Sequence, residues 1–262
     1  MNVKTLVAET PSGRKRPLLI NDHDYSTAVI RQGAPIPWTD TTLAAGHFGQ
    51  VRGLLDPDAL WIDVRRLITA HLAARPELVE AMGARSRPGY ALRTLIGDET
   101  LLASLLEVLG TVSSTARRGL VLHVPSPAAW LSWAHQVASS PIDTVDPDRA
   151  DSASMYVAEW LGQLGALPVS LVLLDARETP CTAAEQLASY TSIGNVVSHF
   201  GWSAALWSGQ GIESSAADPG ISVVPDEFWT TGADVPEGQV LLTTIPGSAH
   251  PERVLDQLAR LG

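Results

Sequence analysis

A dense group of polar residues, Asn21-Asp22-His23-Asp24-Tyr25, directly follows an apolar run. Two carboxylates beside an imidazole can orient the ring, raise its basicity, or bind a metal together with it. We therefore predict Asp22 and His23 as catalytic residues and Asp24 and Tyr25 as substrate-binding residues. The alternative is that Asp22 or Asp24 caps a helix that begins a few residues later, with His23 exposed.

Two more groups of the same kind follow apolar runs. His123 comes after Leu120-Val121-Leu122, and Asp175 and Arg177 come after Val169–Leu174. We predict His123 as a substrate-binding residue at the mouth of a barrel, where general acid/base chemistry is also possible. We predict Arg177 as a substrate-binding residue, because arginine binds carboxylates through two parallel hydrogen bonds. Asp175 is predicted to orient the arginine or to act as a base. A buried structural histidine and a structural Asp–Arg pair are the alternatives.

The last polar groups of this kind lie nearer the C-terminus. His199 follows Val196-Val197-Ser198 and is predicted as catalytic, with Trp202 as an apolar wall of the pocket. Asp226 follows Val223-Val224-Pro225 and is predicted as a substrate-binding residue. Packing within an aromatic cluster is the alternative for His199.

All of these side chains depend on strands for their positions. Six apolar runs that break off into polar or turn residues are predicted as strands: 17–20, 119–122, 169–174, 196–198, 221–224 and 240–245. Helical periodicity or capping residues predict helices near 57–73, 101–109, 127–137, 157–164, 183–191 and 251–261. The alternation of strand and helix predicts a single α/β domain over 1–262, a (β/α)8-type barrel that is complete or incomplete. Residues 26–55 are predicted as a lid or a long loop, and 214–220 as a mobile loop.

Composition limits the classes of partner. The net charge of −10 and the absence of a long basic cluster argue against nucleic acid. Cys181 is the only cysteine, so neither an intrachain disulfide nor a thiolate-rich metal site can form. The sequence has no apolar segment of bilayer length and none typical of a signal peptide, which favours a cytoplasmic protein without a membrane partner. The abundance of Ala, Leu and Gly is typical of a high-GC bacterial source, and a homodimer is left open.

The common nucleotide-binding and hydrolase motifs are missing. The chain has no G-x-G-x-x-G, no G-x-x-x-x-G-K-[ST], no G-x-S-x-G and no H-E-x-x-H. We therefore expect no nucleotide cofactor, and the first hypothesis includes no cofactor of any kind.

Residues 119–262 resemble the superfamily of barrels that contains uroporphyrinogen decarboxylase and cobalamin-independent methionine synthase. The resemblance rests on Asp175-Ala176-Arg177, on His199, and on Val240–Gly247 followed by Pro251–Leu255. Near the N-terminus, Val29-Ile30-Arg31-Gln32-Gly33 is similar to the arginine motif with which the decarboxylase binds carboxylates, although Ala34-Pro35 replace its second arginine. The resemblance implies a barrel fold and a substrate-binding role for Arg31. The single cysteine departs from the zinc ligands of the methionine synthase branch.

Three hypotheses of function follow. The first is a cofactor-independent lyase or decarboxylase that acts on a small carboxylated metabolite by acid/base chemistry. The second is a metal-dependent hydrolase or lyase that uses His and Asp ligands from the same groups. The third is a ligand-binding or assembly protein that keeps the barrel without its chemistry.

Overall fold

Eight strands in the described part of the chain form the framework of the protein. A computed structural model describes residues 2–215 and 218–262, so part of the predicted 214–220 loop, residues 216–217, lies outside the described residues. The strands in the described part of the chain are β1 (Leu18–Asn21), β2 (Ala59–Asp63), β3 (Gly119–Pro125), β4 (Val169–Asp175), β5 (Ser203–Ser208), β6 (Gly211–Ser214), β7 (Ile221–Val224) and β8 (Val240–Thr244).

These eight strands form one sheet in the order β6-β5-β4-β3-β2-β1-β8-β7. Every neighbouring pair is parallel except β5 and β6, which form an antiparallel hairpin with Trp207 opposite Ile212. The end strands β6 and β7 approach each other, so the sheet curves into a nearly closed barrel. The predicted α/β barrel is confirmed, although its sheet is mixed rather than wholly parallel.

The helices fill the connections between the strands. Those in the described residues are α1 (Val3–Ala8), α2 (His23–Val29), α3 (Thr41–Leu55), α4 (Val64–Leu72), α5 (Pro76–Met82), α6 (Tyr90–Ile96), α7 (Glu99–Ala116), α8 (Pro127–Val137), α9 (Pro147–Gln163), α10 (Thr191–His199), α11 (Glu227–Thr230) and α12 (Pro251–Arg260). Several begin as the sequence predicts. Asp98 accepts a hydrogen bond from the Leu101 N–H at the start of α7, and Ser126 accepts one from the Ala129 N–H at the start of α8.

Strand alternation divides the core into an interior and an outer layer. One apolar cluster fills the barrel with residues from alternate strand positions, among them Leu19, Trp61, Val121 and Leu173. The intervening residues, such as Ile20, pack against the surrounding helices. Helix α1 adds Val3 and Leu6 to the interior cluster and lies against the amino ends of the strands. With that end packed, the carboxyl ends of the strands form the mouth of the barrel.

Two of the predicted helices are wrong. In the 57–73 segment, Ala59–Asp63 is strand β2, and only the residues from Val64 onward are helical. The Asp56-Pro57 pair therefore does not mark the start of the helix, and Asp63 caps α4 instead through the Arg66 N–H. Near 183–191 the structure has a single 3-10 turn at Leu187–Ser189.

The capping-box interpretation of Thr182 and Glu185 fails because the glutamate has other partners. Its carboxylate accepts a 2.8 Å hydrogen bond from the Ser126 hydroxyl and another from the Tyr190 hydroxyl. The first bond attaches the segment after β4 to the start of α8, and the second attaches it to the start of α10. The backbone N–H of Thr182 bonds to the Val145 carbonyl rather than entering a helix.

Two other expectations are corrected. Val196–Ser198 is not a strand, because it belongs to α10, whose buried Ile193 and Val197 stand four residues apart. Residues 41–55, predicted as irregular, form helix α3, which is capped by Asp40 and packs on α7. This part of the predicted lid is therefore a regular helix of the outer layer.

Candidate functional site

The mouth of the barrel holds a polar cavity of 460 Å³. Four of its residues are the last or nearly last inward-facing positions of neighbouring strands: Asn21 on β1, Asp63 on β2, His123 on β3 and Asp175 on β4. The cavity is also lined by Arg65, Arg66, Pro125, Ala129, Arg177 and Glu178. The apolar layer beneath them gives these polar side chains a water-poor floor.

His123 is the best-positioned group for proton transfer. Its Nε2 lies 2.9 Å from Asp175 Oδ2, and its Nδ1 lies 4.0 Å from Asp63 Oδ2. The Trp61 ring lies beneath it, with 4.8 Å between ring centroids and 33° between the planes. A carboxylate that accepts the Nε2 proton fixes the ring orientation and leaves Nδ1 to exchange a proton with a ligand.

Asp175 and Arg177 form a tight ion pair at the edge of the cavity. Arg177 donates from Nε to Oδ1 at 2.9 Å and from a terminal nitrogen to Oδ2 at 2.7 Å, and its guanidinium lies 3.7 Å from the Trp207 ring centroid. Burial alone would raise the pKa of Asp175, but hydrogen bonds from Arg177 and His123 outweigh it and hold that pKa well below its usual value. Asp175 is thus a stable anion that orients His123. The ion pair agrees both with the structural alternative and with the predicted role of Asp175 in orienting Arg177.

A second arginine, Arg66, links the helix after β1 to the end of β2. Arg66 contacts Asp24 on α2 at 2.8 Å and Asp63 at 3.4 Å. The neighbouring Arg65 also lines the cavity, and it makes no ion pair with any residue of the described chain. Arg65 is therefore the cationic side chain at the mouth that is available to an anionic ligand.

The other residues of the 21–25 group lie behind or beside the cavity. Asp22 is 3% exposed and does not line it, and burial raises its pKa to about 6 against the opposing hydrogen bond of Ser26. His23 is half-buried near Arg66 and Asp63, and its pKa is lowered by burial and Arg66 against the opposing effect of Asp63 and Asp24. Asp24 reaches the site through Arg66.

Tyr25 and Arg31 do not reach the cavity. Tyr25 is fully buried in the apolar cluster between the barrel and its outer helices, its hydroxyl has no hydrogen-bond partner among the described residues, and burial raises its pKa. The substrate-binding position predicted for it is wrong, because Tyr25 lies on the face of α2 that packs into this apolar cluster and does not line the cavity. Arg31 is half-buried after α2 near His47, and burial, with Arg31 and His23 nearby, lowers the pKa of His47 to about 4.

His199 and Trp202 lie at the opposite end of the barrel. His199 is the exposed last residue of α10, and Trp202 precedes β5, so both stand near the amino ends of the strands. Their aromatic neighbour Phe200 lies 4.8 Å from His199 and 4.9 Å from Trp202, centroid to centroid. The apolar run before them is helical, so neither side chain lines the mouth cavity, and their contacts with Phe200 match the packing alternative.

Asp226 lies outside the cavity but within electrostatic reach of it. It is exposed just before α11, and burial and Glu227 raise its pKa while Arg177 opposes that shift. Its position after β7 agrees with the predicted strand end.

Asp63, Arg65 and Arg66 supply much of the charge at the mouth and were not among the residues predicted from the sequence. The missed signal is Ala59-Leu60-Trp61-Ile62 before Asp63, an apolar run that ends in a polar residue like the others. The Asp56-Pro57 pair concealed it, because aspartate before proline commonly starts a helix. Trp207 was missed because β5 begins with the small residues Ser203, Ala204 and Ala205.

No family model, no curated protein and no solved structure matches this chain. A proposal of its function therefore rests on the fold and on the geometry of the site. Among residues 2–215 and 218–262, no group of three or more His, Cys, Asp or Glu side chains has the arrangement of a metal site. Within those same ranges, none of the helices has both the length and the apolar character required to cross a bilayer. The fold and the mouth define an α/β barrel with a His–Asp pair at the carboxyl ends of its strands.

Proposed function

We propose that the protein is a lyase, of the decarboxylase type, that acts on a small carboxylated metabolite by acid/base chemistry at the mouth of the barrel. The observation that carries the proposal is the position of His123, held by Asp175 on one side and faced by Asp63 on the other within a cavity of 460 Å³. A volume of that size suits a small metabolite.

The cationic residues of the cavity support an anionic substrate. Arg177 is held by Asp175, so the carboxylate-binding role predicted for it passes in this proposal to Arg65, with Arg66 beside it. Arg65 and Arg66 are exposed at the rim of the cavity, where a carboxylate that enters the mouth can accept charge-assisted hydrogen bonds from them. The substrate carboxylate then lies within the same cavity as the imidazole of His123.

The chemistry assigns one step to each group. Arg65 binds a carboxylate of the substrate, and the carbon–carbon bond to the departing carboxyl group breaks, which releases carbon dioxide. The electron pair of that bond stays on the substrate, whose own carbonyl or aromatic ring must delocalise it. Protonated His123 then delivers a proton from Nδ1 to the carbon, and Asp175 stabilises the imidazolium before the transfer.

The resemblance to uroporphyrinogen decarboxylase supports the choice of reaction class in part. Asp175 and Arg177, on which it rests, lie at the mouth, whereas His199, on which it also rests, lies at the other end of the barrel. Acid/base chemistry at the mouth therefore draws its support from His123 and its neighbours, and decarboxylation draws its support from the resemblance.

A screen in heavy water tests the proposal. The purified chain is incubated in D2O with a panel of small carboxylic acids that includes β-keto acids and carboxylated aromatics, and the products are analysed by mass spectrometry. We expect at least one acid to lose carbon dioxide and to gain one deuterium at the carbon that carried it, because His123 exchanges its proton with solvent. The His123→Gln variant, purified in the same way, is the control for contaminating enzymes. Equal conversion by that variant, or no conversion of any acid, counts against the proposal.

A further inference from the structure

A second cavity lies on the side of the barrel, between α5, α6 and α9. Its volume is 660 Å³, which is larger than that of the mouth cavity, and no residue lines both. The part of α9 that lines it, from Tyr156 to Gln163, leads toward the amino end of β4 and thus away from the mouth. We call it the side cleft.

Three arginines line the side cleft, Arg85, Arg87 and Arg93. None of them has a carboxylate within 4.0 Å among the described residues. Three such arginines in one cleft stand out in a chain whose net charge is −10, because most of the surface favours cations over anions. The side cleft is therefore a local positive region.

The acidic residues of the side cleft do not neutralise these arginines. Asp98 accepts hydrogen bonds from Arg75 at 2.8 and 3.2 Å and also caps α7, so its charge is already compensated. Glu159 on α9 is the other acidic residue in the lining. The arginines exceed the acidic charge that remains, and a ligand that matches the excess must carry more than one negative charge.

Aromatic side chains supply the apolar part of the cleft. The Arg85 guanidinium lies 5.3 Å from the centroid of the Tyr90 ring. The backbone at Gly89, with φ of +84°, passes so close to Tyr156 that a Cβ there would stand 3.2 Å from the ring. Glycine both permits this left-handed conformation and leaves space for the contact. The Tyr156 ring therefore packs directly against the loop that carries Arg85 and Arg87.

We propose that the side cleft is a second binding site for a phosphorylated small molecule with at least two phosphate charges. Arginine binds phosphate oxygens through parallel hydrogen bonds, and three arginines around one cleft suit adjacent phosphates better than a single anion. The Tyr90 and Tyr156 rings suit a ligand that also carries a flat aromatic group. Both inorganic pyrophosphate and a nucleoside diphosphate share the phosphate chemistry, and the test distinguishes them.

Isothermal titration calorimetry on the full chain at low ionic strength tests the proposal with pyrophosphate, ADP, adenosine and citrate as probes. We expect pyrophosphate and ADP to bind and adenosine to bind far more weakly, because the phosphates supply most of the contacts. Tighter binding of ADP than of pyrophosphate would show that the Tyr90 and Tyr156 rings also contact the base. Equal binding would show that the cleft contacts the phosphates alone. Added salt should weaken both, since the arginines are exposed.

Variants of the arginines give the decisive comparison. Arg93→Gln and the double variant Arg85→Gln/Arg87→Gln should each lower the affinity for pyrophosphate by about tenfold or more. Arg253→Gln is the matched control for Arg93→Gln, because Arg253 is exposed on α12 outside the cleft and each of these two substitutions removes one positive charge. The melting temperature of each variant without ligand checks the fold. Binding that survives in the cleft variants, citrate that binds as tightly as pyrophosphate, or no binding of either phosphate would overturn the proposal.

Discussion

Replacement of His123 with glutamine is expected to lower turnover of the substrate by ~100-fold or more, because loss of a general acid/base typically has an effect of that size. Glutamine is similar in size to histidine and keeps a donor for Asp175, so the ion pair of Asp175 with Arg177 should survive. The KM should change much less than kcat, because His123 acts on the proton and Arg65 binds the carboxylate in the proposed site.

His199→Gln is the matched control for His123→Gln. The substitution is chemically identical, but His199 is exposed at the end of α10, at the amino ends of the strands. Its turnover should equal that of the unaltered protein. Both rates are measured with the acid that the heavy-water screen identifies, after circular dichroism has shown that both variants fold. A larger loss in His199→Gln than in His123→Gln would place the chemistry at the amino ends of the strands and contradict the proposed site.

Two buried groups behind the mouth should give the protein opposite dependences of stability on pH. Asp22 and His47 are each 3% exposed. Burial raises the pKa of Asp22 to about 6, so the folded state binds its proton more tightly than the unfolded state, and stability falls as pH rises from about 4 to about 6. His47, with its pKa lowered to about 4, has the opposite effect, and stability rises as pH rises from about 4 to about 6.5.

Each of these contributions amounts to about 3 kcal/mol over its pH range, so in the unaltered protein the two largely cancel. Asp22→Asn removes the first, and its free energy of unfolding should rise with pH more steeply than that of the unaltered chain. At about pH 8 the variant should be the more stable by as much as ~3 kcal/mol, because it no longer buries a charge.

His47→Gln provides the reciprocal comparison. It should leave the Asp22 contribution alone, so its free energy of unfolding should rise less, or fall more, with pH than that of the unaltered chain through the same range. The measurement is urea unfolding at a series of pH values, and the slope against pH is the quantity compared, because a buried glutamine can also change the absolute stability. Slopes that differ from that of the unaltered chain in the same direction in both variants would be incompatible with the buried positions of these two groups.

The barrel was predictable because five of the six apolar runs that were predicted as strands are strands of the sheet. The 169–174 run is long and apolar enough to be a central strand, and Asp175 stands at its end as predicted. The exception is 196–198, because three apolar residues alone do not distinguish a strand from one face of a helix. The residue that indicates a helix is Ile193, which lies one turn before Val197 and is buried with it.

The site was only partly predictable, because its composition depends on which strands are neighbours. His123 and Asp175 are 52 residues apart and meet because β3 pairs with β4 in the register that places Pro125 opposite Asp175. Nothing in the local sequence contains that register. Likewise, Asp22 and Tyr25 belong to the densest polar group in the chain, yet β1 ends at Asn21, which lines the cavity, and the turn into α2 buries both of them outside it.

The ring signals of the seven histidines provide the most direct test of a carboxylate site at the mouth. The chain is labelled with ¹³C and ¹⁵N in histidine, the signals of His123 and His199 are assigned from the two glutamine variants, and each acid of the panel is added in turn. For the acid that is turned over, or a non-reacting analogue of it, the His123 signals should move with saturable dependence on concentration while those of His199 stay in place. If every acid of the panel leaves His123 unmoved, or if a bound acid moves His199 alone, carboxylate chemistry at the mouth is contradicted.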